Sequence, residues 1–246
     1  MEHQIIDINV DMGEGLGNEA QLMPYISSCN IACGGHAGDY DTMKAVVKLA
    51  KQNQVKIGAH PSFPDRENFG RKIMDMPCVE LFTSIKNQIK NLIVVLDEEH
   101  LQLHHVKPHG ALYNLVSVDE RTAKVIVEVM KALMLPAELY VPYNSVMARL
   151  AIEHNIPVFY EAFADRNYND NLTLVARTEK NALIEDEDAM FEHVYNAVVT
   201  QKIKTVSGEL VSLRANTFCI HGDNPNAVQL VRSLVDKLQA KGIKIR

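Results

Sequence analysis

The stretch His105-Val-Lys107-Pro-His109 carries three titratable side chains on alternate residues, and alternate residues of a β-strand share one face. The same period recurs along the chain. Asp7, Asn9 and Asp11 alternate with Ile6, Ile8 and Val10. Glu161 and Asp165 fall with Phe159 and Phe163, and His221 and Asp223 fall with Thr217 and Cys219, opposite Phe218 and Ile220. His60 closes another apolar run, and Asn30 and His36 lie in or just after one more. Imidazoles and carboxylates move protons near neutral pH, a lysine among them stabilises developing negative charge, and imidazole with carboxylate suits divalent ions. The set fits acid–base work on a small molecule.

Each residue alone has a plainer explanation. A single histidine or aspartate in an apolar run is more often a hydrogen-bonded structural group, and Asp7 or Asn9 reads as such a tie at the floor of the fold. His3, His100, His154 and His193 read as surface residues, and His104, alternating away from His105, as facing helices or solvent. Six of the ten histidines (36, 60, 104, 105, 109 and 221) nonetheless fall at strand ends. An unpaired buried polar group costs about 1–3 kcal/mol. So many of them on five strands point to one shared site.

A repeated strand–helix unit must position them. Seven β-branched runs read as strands: 5–11, 28–33, 55–60, 103–109, 137–143, 157–165 and 217–223. Residues 41–54, 79–99, 186–200 and 224–240 read as amphipathic helices between them. Ser117-Val-Asp-Glu120 is a capping-box pattern opening a helix to Met134, and Pro225 sits near the first turn of the last helix, where a missing N–H costs little. Alternation of this kind implies parallel strands and right-handed crossovers. The expectation is one domain over residues 1–246, a closed or nearly closed seven-stranded parallel β/α barrel, with a doubly wound sheet as the alternative. In a barrel wrapped by helices the outward strand face must be apolar. The polar faces then point inward and towards the C-terminal strand ends, where α/β barrels hold their active sites.

The loops agree. Gly13-Glu-Gly-Leu-Gly17 is a glycine-rich turn without dinucleotide-fingerprint spacing, and Gly34-Gly-His-Ala-Gly38 runs into Asp39 and Asp41. That second turn reads equally as an N-cap or as backbone N–H groups for a bound anion. Arg66, Arg71 and Lys72 are candidate anion clamps, and no Gly-x4-Gly-Lys-Ser/Thr nucleotide loop occurs.

Charge and cysteine usage narrow the setting. A net charge of −6 over 246 residues argues against nucleic-acid and membrane-surface partners, and the basic tail from Lys241 to Arg246 reads as a frayed terminus. No apolar run approaches the ~20 residues of a membrane span, and Met-Glu-His-Gln does not open a signal peptide. Cys29, Cys33, Cys78 and Cys219 show no Cys-x-x-Cys spacing, which fits a reduced, cytoplasmic chain.

Six segments together resemble a known family. They are Asp7-Ile-Asn-Val-Asp-Met-Gly-Glu14, Asn30-Ile-Ala-Cys-Gly-Gly-His-Ala-Gly-Asp39, Ile57-Gly-Ala-His-Pro61, His105-Val-Lys-Pro-His-Gly-Ala-Leu-Tyr-Asn114, Glu161-Ala-Phe-Ala-Asp-Arg166 and Cys219-Ile-His-Gly-Asp223. They are similar to the A subunits of the bacterial ATP-dependent 5-oxoprolinases, also known as the lactam utilisation proteins. Two departures stand out: Asn171-Leu172 follows Asp170 where a glycine is expected, and Lys180-Asn181 stands in place of Pro-Gly. The resemblance implies a seven-stranded barrel of the glycoside hydrolase/deacetylase type. It also implies ATP-driven hydrolysis of 5-oxo-L-proline to L-glutamate, with Mg2+ accompanying ATP and with two partner subunits, B and C.

For such a reaction Asp11 and His109 are candidate general bases, and Lys107 stabilises the oxyanion or phosphoryl oxygen, with His60 and Asp165 also among the catalytic candidates. Arg71 or Arg166 would clamp the substrate carboxylate. Asn9, Glu14, Asn30, His36, His105 and Glu161 are further candidates for touching substrate. His60, Asp165, His221 and Asp223 form a candidate divalent-metal set. Two rival functions fit the same residues: a stand-alone metal-dependent amidohydrolase or carbohydrate deacetylase, and a non-catalytic subunit that carries oxoproline.

Overall fold

The computed structural model describes residues 4–134, 136–224 and 226–246, so the expectations for His3 and Pro225 fall outside the described residues. Seven parallel strands close on themselves: β1 (Ile5–Met12), β2 (Ser28–Ala32), β3 (Lys56–His60), β4 (His105–Val106), β5 (Glu138–Pro142), β6 (Val158–Phe163) and β9 (Thr217–Ile220). They run in that order round the barrel, and β9 pairs back onto β1 with Asn9 opposite Cys219. The doubly wound alternative is thereby excluded. Helices α1 (Glu19–Leu22), α2 (Tyr40–Asn53), α3 (Cys78–Glu98), α4 (Gly110–Val116), α5 (Glu120–Leu133), α6 (Val146–Glu153), α7 (Glu187–Thr200) and α8 (Ala227–Ala240) fill the connections.

Period-two alternation decides which residues face which layer. Ile6, Ile8 and Val10 are buried in the apolar core, while Asp7, Asn9 and Asp11 are buried among polar partners inside the barrel. Regular pairing of β4 is brief because Pro108 has no N–H to donate. The chain still tracks β3 beyond it: Lys107 N donates to Ala59 O at 2.9 Å and His109 N to Pro61 O at 2.8 Å. Lys107 and His109 are thus fixed beside His60. At Gly58 a Cβ would lie 2.1 Å from His105 Nε2, so only glycine leaves room for that ring across the barrel.

Several local expectations need correction. Ser117 does not cap α5: its hydroxyl donates to Tyr113 O, whereas Asp119 accepts from Thr122 N as the N-cap. A proper helix, α4, ends just before Ser117, and this explains the shift. The basic tail is not frayed, since Lys244–Ile245 forms β10, parallel to β1 at Ile5 and Ile6, with Ile243 buried. His193 is half-buried against Tyr168, with rings 6.1 Å apart, and is not a surface residue. The antiparallel pair β7 (Lys202–Lys204) and β8 (Leu210–Ser212) lies outside the barrel. Among the described residues no helix is long and apolar enough to cross a membrane.

Candidate active site

The barrel interior is polar from floor to rim. At the floor, Asp7 Oδ1 accepts from Ser28 Oγ at 2.7 Å and Thr217 Oγ1 at 2.6 Å. One layer up, Asn9 Nδ2 donates to Glu161 Oε1 at 2.9 Å and to Thr217 Oγ1 at 2.7 Å. Asn30 Nδ2 donates to Asn9 Oδ1 and Asp11 Oδ1, and His105 Nε2 donates to Asn30 Oδ1 at 2.7 Å. The His105 ring lies flat on Tyr140, with centroids 3.8 Å apart. Asn9, Asn30 and His105, expected to touch substrate, are fully buried and occupied with one another. They hold the residues above them.

Lys107 stands on this layer. Its Nζ is 3.0 Å from Asp11 Oδ1, 3.0 Å from Glu161 Oε1 and 3.0 Å from Cys219 Sγ. Burial works against a charged ammonium, but Asp11, Cys219 and Glu161 outweigh it and hold Lys107 well above the ordinary lysine range. Asp11 is the reverse case. Burial would raise its carboxyl, and the charges of His60 and Lys107 hold it well below the ordinary range instead. The result is a preorganised ion pair inside a low-dielectric barrel.

An imidazole cluster crowns Asp11. His60 Nδ1 donates to Lys107 O at 2.7 Å, and His60 Nε2 lies 3.3 Å from Asp11 Oδ2 and 3.0 Å from His109 Nδ1. His109 Nε2 donates to Phe69 O at 2.9 Å. His36 stacks on His109 with centroids 3.6 Å apart and meets Glu14 Oε1 at 2.9 Å. Burial, then the neighbouring His60, lowers His36 to about 2 and takes His109 well below its usual value. Burial, then the charge of Asp11, pushes Glu14 up to about 7. Glu14, expected from the sequence to touch substrate, lies among the imidazoles, 2.9 Å from His36 Nε2 and 3.5 Å from His109 Nδ1.

The expected metal set does not converge. His60 belongs to the imidazole cluster, Asp165 accepts from His221 N and Nδ1 at 3.0 Å, and Asp223 pairs with Arg71 and Arg177. Among the described residues the group of three or more such side chains whose donor atoms lie within 4.8 Å of one another is Glu14, His36, His60 and His109. Arg166 is not a free clamp either, because its guanidinium donates to Val175 O at 2.6 Å and Ala182 O at 3.3 Å and so pins the loop over residues 166–184. Arg71 remains half-exposed at the cavity edge, while Arg66 bonds Gly38 O. The side chain of Asp39 accepts from Thr42 N, so the α2 N-terminus is capped from within. In the pinned loop Leu172 and Asn181 have φ of +63° and +65°. Both departures from the expected glycines therefore fall at left-handed positions, which cost a leucine more than an asparagine.

Two adjoining cavities open at these strand ends. One, of about 410 Å³, is lined by Asp11, His60, Lys107, His109, Arg71 and His221 among others. The other, of about 420 Å³, runs on past Glu161 and Tyr143 beneath the pinned loop. They share Tyr113, Asn114, Phe163, Leu174 and Ala176. Among the described residues Glu161 Oε2 and Tyr113 Oη, buried beside the cavities, have no partner in full hydrogen-bond geometry, although the two groups lie close enough to interact with each other. Burial and the nearby Glu161 charge keep the Tyr113 phenol protonated. Tyr113 escapes a reading by strands because it sits on α4, four residues after His109. A helix starting directly at His109 is the signal that would expose it.

Known proteins share this chain's features along its length. Residues 6–246 match the family described as LamB/YcsF. The chain is 40% identical over 240 residues to a protein of Haemophilus influenzae (strain PittEE) named as the A subunit of 5-oxoprolinase, covering 98% of each. A protein of the same name from Pyrococcus abyssi (strain GE5 / Orsay) is 40% identical over 245 residues, 98% of this chain and 96% of that one. The crystal structure of a lactam utilization protein from Thermus thermophilus superposes with a TM-score of 0.92 at 35% identity, covering 99% of both.

Proposed function

The chain belongs to the LamB/YcsF family, and from that membership we propose that it is the A subunit of an ATP-dependent 5-oxoprolinase, acting with the B and C subunits. The observation that carries the reading is the buried Lys107, which with Asp11 lines one cavity and is paired with Glu161 of the adjoining one, in a chain 40% identical to proteins named for that reaction. A five-membered lactam resists hydrolysis because its amine and carboxyl recombine at high effective concentration. Transfer of the terminal phosphoryl of Mg–ATP to the lactam oxygen releases ADP and makes the ring carbon electrophilic. Water adds there, and the C–N bond breaks with its electron pair and a proton going to nitrogen. A second water converts the resulting acyl phosphate to glutamate and phosphate.

The side chains fit these demands. Glu161 Oε2, without a well-formed hydrogen bond among the described residues, accepts the lactam N–H, and Tyr113 Oη beside it donates to the ring's other polar edge. Arg71, half-exposed and paired with Asp223 through one nitrogen, is the fork that can turn to the substrate carboxylate. Lys107 offsets charge as it develops on the lactam oxygen. Asp11, ionised and lining the cavity, takes the proton of the attacking water, and the neutral ring of His109 is the second base. No P-loop is present, so the ATP phosphates are held by other means.

The test is release of glutamate and ADP from 5-oxoproline and Mg–ATP by the purified chain, alone and with the B and C subunits of a relative. Equal release in the mixture, abolished by Lys107→Ala, supports the reading. Glutamate release without ATP or partners would favour a stand-alone amidohydrolase. Loss of affinity alone in Lys107→Ala and Asp11→Asn would favour a carrier.

A further inference from the structure

We propose that Glu14, His36, His60 and His109 bind one first-row divalent transition ion, of the zinc or cobalt type, at the head of the barrel. The geometry of two rings carries the case. His60 Nδ1 is 2.7 Å from Lys107 O, and His109 Nε2 is 2.9 Å from Phe69 O. A carbonyl oxygen only accepts, so both of these nitrogens carry the proton, and unless a further proton is bound between the rings His60 Nε2 and His109 Nδ1 present bare lone pairs. Those lone pairs face each other at 3.0 Å. Two acceptors at that distance repel unless a cation joins them.

The surroundings are those of a ligand set. A ring N–H donated to a backbone carbonyl is the arrangement that orients metal-binding histidines. Glu14 Oε1 lies 3.5 Å from His109 Nδ1 and 2.9 Å from His36 Nε2. One donor atom from each of the four residues lies within 4.8 Å of the others, and His36, His60 and His109 are buried. Three imidazoles and one carboxylate suit zinc-like ions better than Mg2+, which prefers oxygen ligands and its own waters. The site stands apart from the Asp165–His221 pair and needs neither ATP nor oxoproline. With the ion in place His109 is a ligand and not a base, which leaves the water's proton to Asp11.

Cobalt(II) titration of the chelator-treated full chain tests this directly. One equivalent should bind with visible d–d bands that Zn2+ displaces, and X-ray absorption should show imidazole nitrogen at about 2.0–2.1 Å. His60→Gln and His109→Gln should weaken binding by more than about a hundredfold, given that outer-sphere partners alone account for 10–100-fold. His221→Gln should leave binding unchanged. The absorption measurement on the unmutated chain guards against variants that misfold. No stoichiometric binding, or binding unaffected by the two substitutions in folded protein, would overturn the site. A proton on His60 would then be what joins the two rings. Because the readout is metal binding, failure here leaves the oxoproline assay untouched, and failure of that assay leaves this site standing.

Discussion

Lys107 Nζ and Asp11 Oδ1 stand 3.0 Å apart inside the barrel, with only 2% and 6% of their side chains exposed. A pair this deep gains Coulomb energy but loses hydration on both sides, so its removal is costlier than its net contribution suggests. Lys107→Met leaves Asp11 and Glu161 as uncompensated buried carboxylates and is expected to lower stability by about 3–5 kcal/mol. Adding Glu161→Gln should recover part of that loss. Urea unfolding of the two variants measures it, and equal stability of both would contradict the account.

Gly58→Ala drives a methyl group into the His105 ring, which is itself fixed between Tyr140 and Asn30. The ring cannot swing aside without breaking the layer beneath Lys107. A loss of about 1–3 kcal/mol is expected, as for other overpacked cores, read as a fall in thermal midpoint. An unchanged midpoint would mean that the floor layer is softer than its hydrogen bonds imply.

Tyr113→Phe separates function from stability. Among the described residues Tyr113 Oη approaches only Glu161 and makes no well-formed hydrogen bond, so its deletion should change folding stability by no more than about 1 kcal/mol. If the lactam meets this hydroxyl, one lost hydrogen bond of about 1–1.5 kcal/mol predicts roughly a tenfold fall in kcat/KM. Kinetics on the reconstituted system decide, and full activity would remove Tyr113 from the substrate site.

Asp165 sets an acid limit. Burial would raise its carboxyl, yet the charge and hydrogen bonds of His221 hold it below the ordinary carboxylate range. With the folded value lower than the unfolded one, the unfolded chain binds more protons between the two. The contribution is therefore complete above about pH 4 and is lost as pH falls through the depressed value. Asp165→Asn should be less stable than the parent at pH 7, with the gap narrowing below about pH 4. A gap independent of pH would show that His221 does not stabilise the ionised form.

Much of this was legible in the sequence because period-two alternation is local. Ile6, Ile8 and Val10 against Asp7, Asn9 and Asp11 fix one inward face with no knowledge of neighbours, and seven such runs separated by helices imply a parallel barrel. Short helices were not legible, since α4 and α6 have 7 and 8 residues and offer too few turns to show a period. Their absence from a sequence reading misplaced the α5 cap and hid Tyr113.

The division within the site has the same origin. Residue type and alternation determined that Asp11, Lys107, His60 and His109 face the barrel interior, since a strand cannot turn one of them outward without turning its apolar neighbours inward. Only the closed barrel decided which side chains meet. The register that sets Asp11 beside Asn30, Asn30 beside Gly58 and Gly58 beside His105 buries Asn9, Asn30 and His105 as supports. Closure also brings Glu14 and His36 from two loops onto His60 and His109, and sends Asp165 to His221 and Asp223 to Arg71. Those pairings join residues up to 152 positions apart, and proximity at that separation is a property of the closed sheet, not of any segment of the chain.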